Sequence, residues 1–87
     1  MQWSIYADLS RGLSAEERLA IADALDEVVP SSGCVGPNVG SVEEVYFVLE
    51  AGTEAEARAG ASRYMDAVLQ SAGVQAEFRI HLQPAPV

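Results

Sequence analysis

Twice along this chain a hydrophobic period of two gives way to a period near 3.6, and each change passes through the same short signal. Met1, Trp3, Ile5, Ala7 and Leu9 alternate with Gln2, Ser4, Tyr6 and Asp8, the pattern of a strand with one buried face. Ser14-Ala15-Glu16-Glu17 then has capping-box spacing, in which a serine hydroxyl and the glutamate three residues on satisfy each other's backbone donors. This predicts a helix from about Ala15, with Ile21, Ala22, Leu25, Val28 and Val29 on one stripe and Pro30 at its end. A second strand over 42–50 sets Val45, Phe47 and Leu49 against Glu44, Tyr46, Val48 and Glu50. Thr53-Glu54-Ala55-Glu56 repeats the box, and Glu54 stands four residues before Arg58 in the orientation that favours a helical ion pair. The helix that follows carries Ala57, Ala61, Tyr64, Met65, Val68, Leu69 and Ala72 on one side and stops at Gly73.

The last strand, over 75–83, sets Ala76, Phe78, Ile80 and Leu82 against Gln75, Glu77, Arg79, His81 and Gln83. Residues 84–87, with two prolines, are expected to form a C-terminal tail, which leaves a single domain over 1–83. Between the first helix and the second strong strand, residues 31–40 are rich in Gly, Ser, Pro and Asn and hold at most a short, irregular edge strand near Cys34 and Val35. The order is β-α-(β)-β-α-β. It resembles the ferredoxin-like split βαβ superfold. That resemblance implies an α+β two-layer sandwich: an antiparallel sheet ordered 4-1-3-2 with both helices on one face. ACT-type ligand-binding domains and the small dimeric α+β barrel monooxygenases are similar at this level. A superfold of this kind does not carry one function.

Composition narrows the partners. Thirteen acidic residues stand against five arginines and no lysine, a formal charge of −8 in 87 residues. Such a chain lacks the cations that displace counterions from phosphates, so nucleic acid is excluded as a partner, and an anionic membrane surface would repel it. No stretch approaches the ~18 apolar residues of a membrane span, and Met1-Gln2-Trp3-Ser4-Ile5-Tyr6 has no targeting character. Cys34 is the only cysteine, so neither an internal disulfide nor a cysteine metal knuckle can form. These features fit a soluble protein of a reducing cytoplasm. With His81 the single histidine, no metal set is spelled out and no cofactor is expected.

If the inner strand faces are as read, the helix-free face carries Tyr6 and Asp8 from the first strand, Glu44 and Tyr46 from the strand over 42–50, and Arg79 and His81 from the last. Two tyrosines among carboxylates, an arginine and a histidine make this the face on which binding chemistry is expected. Tyr6, Asp8, Tyr46, Arg79 and His81 are its candidate contact residues. Cys34 lies in a Gly-rich segment, but no Gly-Lys-Ser/Thr follows to make a P-loop, and it reads as a small residue on an edge strand. Trp3 and Tyr64 read as packing residues.

The favoured reading is a small non-enzymatic binding module, a homodimer through the open sheet face or an edge strand, with a small molecule held at that interface. A second reading is an acidic inhibitor or immunity-type protein that masks a basic partner, using Glu16, Asp23 and Glu27 on the first helix and the Glu43-Glu44 pair. A third is a small enzyme of the dimeric α+β barrel type, in which His81 and a tyrosine move protons.

Overall fold

The computed structural model describes residues 1–31, 33–37 and 42–85. Its elements run β1 (Gln2–Leu9), α1 (Ala15–Val28), β2 (Gly33–Pro37), β3 (Glu43–Glu50), α2 (Glu54–Ala72) and β4 (Phe78–Pro84). The sheet order is β2-β3-β1-β4 with every neighbouring pair antiparallel. This is the expected 4-1-3-2 order seen from the other edge, and the fold is a ferredoxin-like α+β sandwich. No helix among the described residues is long and apolar enough to cross a membrane.

Alternation decides which side chains meet the helices. Trp3, Ile5, Ala7 and Leu9 of β1 and Val45, Phe47 and Leu49 of β3 are buried, and Ile80 and Leu82 of β4 pack against the same core. α1 contributes Ile21, Ala24 and Leu25, with Val29 just beyond its end. Its buried stripe is turned slightly from the expected one, because Ala24 lies one turn from Ile21 on the core side while Ala22 is only half-buried. α2 buries Ala57, Ala61, Met65, Val68 and Leu69, and leaves Tyr64 and Ala72 at the border of the core.

The helix ends follow local chemistry. At α1 both halves of the capping box form, with the Glu17 backbone N–H donating to Ser14 Oγ at 3.1 Å and the Ser14 N–H to Glu17 Oε1 at 2.9 Å. The same Glu17 carboxylate takes two hydrogen bonds from Arg11 and is held down to about 2, chiefly by that guanidinium. This adds stability above the ordinary carboxylate range, and the contribution is lost as pH falls through about 2. At α2 only half the box forms. Thr53 Oγ1 accepts from Glu56 N–H, but the Glu56 carboxylate turns to the Gly52 N–H. Gly73 closes the helix at φ 69°, a left-handed conformation that costs glycine little. The expected Glu54–Arg58 pair is not made; Arg58 instead donates to the Ile80 carbonyl at 3.2 Å, covering the outer edge of β4.

Two departures concern the ends of β4, while the short edge strand expected near Cys34 and Val35 forms. β4 starts at Phe78 rather than at 75, since Glu77 is occupied by reciprocal bonds with Ser10 at the end of β1. It then pairs as far as Trp3↔Pro84, and the Ala85 N–H donates to the Gln2 carbonyl, so ordered contacts run past the expected boundary at 83. β2 spans five residues, with Gly33 packed so close to β3 that a Cβ there would overlap the Tyr46 carbonyl oxygen. The rest of the stretch over 31–40 lies partly outside the described residues, as do 86 and 87.

Glu43 is the largest correction. It was expected to share an acidic surface with Glu44, yet as an odd-numbered residue of β3 it points inward and is buried. Its Oε1 accepts from Arg18 Nε at 3.0 Å, from Arg18 Nη2 and, more weakly, from the Leu13 N–H. The Arg18 guanidinium holds this carboxyl below the usual range against the opposing effect of burial. One carboxylate thereby ties the start of β3 to α1 and to the turn that precedes it. Arg18→Ala would leave the charge buried without its main donor. A lower urea midpoint at neutral pH is expected, with a smaller drop than for a fully buried pair because Arg18 is half-exposed.

Candidate functional site on the open sheet face

The strand register lines up side chains across the helix-free face. His81, Tyr6, Tyr46 and Cys34 form one row from β4 to β2, and Arg79, Asp8, Glu44 and Gly36 form the next. The five sequence-predicted residues Tyr6, Asp8, Tyr46, Arg79 and His81 therefore share one surface. They do so because odd positions of β1 and β3, and even positions of β4, are taken by the core.

The centre of the face is aromatic. Tyr6 and Tyr46 are directly opposed across β1 and β3, with ring centroids 5.1 Å apart and planes tilted by 44°. Both are half-buried, and Ser4, an even-numbered residue of β1 like Tyr6, is buried. Beside them lies a cluster of titrating groups. His81 Nε2 lies 2.9 Å from Asp8 Oδ2, diagonally across the β1–β4 pair. Asp8 Oδ1 is buried with no hydrogen-bond partner among the described residues. Glu44 sits opposite Asp8 on β3, and burial, reinforced by the neighbouring Asp8 carboxylate, pushes its pKa up, while His81 opposes the rise. A raised carboxyl contributes stability while protonated and loses it as pH rises through its folded value.

The face brings ionisable and aromatic groups together, but it does not set Cys34 beside His81. Cys34 is exposed on β2 and His81 lies on β4. Three strand spacings separate them, about 14 Å. No cluster of three metal-ligating side chains occurs among the described residues. Arg79 is exposed and makes no hydrogen bond or ion pair among the described residues. Glu16, Asp23 and Glu27 are on another part of the molecule, exposed along α1.

Sequence reasoning did not find a second concave region, a cleft of about 790 Å³ at the end of the sheet. Arg63 and Tyr64 of α2 line it, although Tyr64 was expected to be a packing residue alone. The signal in the sequence was the run Ala59-Gly60-Ala61, which keeps this part of the helix free of bulky side chains. No protein-family model, curated protein or solved structure matches the chain.

The coupling on the open face is open to direct measurement. Asp8→Asn removes the neighbouring charge, and the carboxyl titration of Glu44, followed by carbon NMR, is expected to move to lower pH. His81→Ala removes an opposing influence and is expected to move it higher.

Proposed function

We propose that this protein is a non-enzymatic binding module that pairs with a second copy of itself through the open sheet face. The observation that carries this reading is the layout of charge around the Tyr6–Tyr46 pair. Arg79 and His81 stand on edge strand β4, and the acidic Asp8 and Glu44 stand on the inner strands β1 and β3. A two-fold axis parallel to the strands would lay β4 of one copy over the β3 side of the other. Arg79, which has no partner among the described residues, would then meet the Glu44 carboxylate of the second copy, twice by symmetry. The two tyrosine pairs would stack at the centre, where a rigid aromatic anchor contributes most.

Light scattering after size exclusion tests this. The native chain is expected to elute at twice its monomer mass, and Tyr6→Ser with Tyr46→Ser at the monomer mass. Arg79→Glu alone is expected to weaken the dimer at least tenfold, and adding Glu44→Arg to restore it. A chain that is monomeric at all concentrations, or a charge exchange with no rescue, would count against the reading.

A second reading, docking of a basic partner, is favoured by one feature of α1. Leu19 is 65% exposed and lies on the same outward side as Glu16 and Asp23, with Glu27 one turn further. An apolar anchor flanked by carboxylates suits a basic amphipathic helix. A synthetic Lys/Leu helical peptide is expected to bind in a salt-sensitive way, and Leu19→Ser to weaken it several-fold at every salt concentration. Equal binding to the Leu19→Ser variant would remove this reading.

A further inference from the structure

The cleft at the end of the sheet exists because β2 is shorter than the strand it borders. β2 pairs with β3 only from Glu43 to Phe47, so Val48–Glu50 continue beyond Gly33, the first residue of β2. The chain leaving α1 passes this gap at Pro30 and Ser31, where Ser31 Oγ donates to the Val48 carbonyl at 2.6 Å. α2 closes the other side. The space between is about 790 Å³, within the roughly 300–1,000 Å³ of small-molecule sites.

Its walls are apolar and firm. The Tyr64 ring is held edge-on against buried Phe47, with centroids 6.0 Å apart and planes at 84°. Leu49 forms the floor, and Gly60 faces it without a side chain; a Cβ at 60 would stand 3.7 Å from Leu49 Cδ2, so any larger residue would begin to fill the space. The polar groups at the rim are not equivalent. Glu50 Oε1 takes the Met1 amino group at 2.9 Å, and Glu56 Oε2 takes the Gly52 N–H at 3.3 Å. Arg63 alone among these charges has no hydrogen bond or ion pair among the described residues. That is notable in a chain of net charge −8, where Arg11 and Arg18 are both drawn into ion pairs with glutamates.

We propose that this cleft binds a small organic acid, with its apolar body against Tyr64, Leu49 and Gly60 and its carboxylate on the Arg63 guanidinium. A planar guanidinium can take a carboxylate through two parallel hydrogen bonds, and the partnered glutamates leave it available for that role. The site is separate from the tyrosine pair, so it stands whether or not the open face pairs with a second copy.

Three probes of one shape separate the contributions: 4-phenylbutyrate, 4-phenylbutanol and 4-phenylbutylamine, titrated into the full chain and followed by amide NMR. The acid is expected to bind at least about tenfold more tightly than the alcohol and the amine, shifting the amides of Leu49, Ala51, Gly60 and Arg63. Arg63→Gln is expected to abolish the preference for the acid while leaving the alcohol's affinity unchanged. Ala59→Trp, at an exposed position on the cleft wall, is expected to block all three with the far-ultraviolet spectrum unaltered. Equal binding of the amine, retention of the acid preference in Arg63→Gln, shifts centred on Tyr6 and Tyr46, or no binding at millimolar probe would each overturn the proposal. The Tyr6→Ser, Tyr46→Ser variant is expected to keep acid binding, which distinguishes failure of the dimer from failure of this site.

Discussion

β1 is bonded on both sides, to β3 and to β4, and its side chains alternate without a bulge from Gln2 to Leu9. Those eight residues consequently set two surfaces at once. Ile5, Ala7 and Leu9 anchor the core, and the positions between them place Tyr6 and Asp8 at the middle of the open face. A one-residue slip in either pairing would exchange the two sets, driving Asp8 into the core and Ile5 into water. The burial of Ile5 and Ala7 therefore fixes the register, and the register brings His81 to Asp8 and Tyr46 to Tyr6. The chemistry of the outer face is in this sense a by-product of the packing of the inner one.

The distribution of the five arginines follows from the excess of carboxylates. Arg11 and Arg18 are drawn to Glu17 and Glu43 near the start of α1, and Arg58 closes the edge of β4. The two that remain unpaired among the described residues, Arg63 and Arg79, lie at the cleft and on the open face. In an acidic protein a guanidinium left without a carboxylate marks a place where an anion from elsewhere meets least competition. Glu43 shows the opposite case. It is a carboxylate withdrawn from the surface, stabilised by Arg18 against its cost of desolvation.

Much of this was legible from residue types and spacing. The two boxes at Ser14 and Thr53 located both helix starts, since local hydrogen bonds between near neighbours need no tertiary information. Gly73 and Pro30 marked their ends. The alternation of β1, β3 and β4 separated core from open face and gathered Tyr6, Asp8, Tyr46, Arg79 and His81 on one side. The failures share a cause. Charge argues for exposure of Glu43, and only its inward register and the reach of Arg18 from α1 make burial tolerable. Spacing on α2 pairs Arg58 with Glu54, whereas Arg58 donates to the Ile80 carbonyl, 22 residues away.

By itself the sequence determined the order of elements, the faces of the strands, the helix caps and the strongly acidic balance, because each rests on periodicity or on contacts within a few residues. Tertiary structure decided which charges are paired and where space is left. The clustering of Asp8, Glu44 and His81 arises from pairing three strands far apart in the chain. The cleft beside Arg63 arises from the mismatch in length between β2 and β3, with α2 laid across the gap. Neither is written in any local pattern, since distance along the chain says little about distance in space once strands have paired.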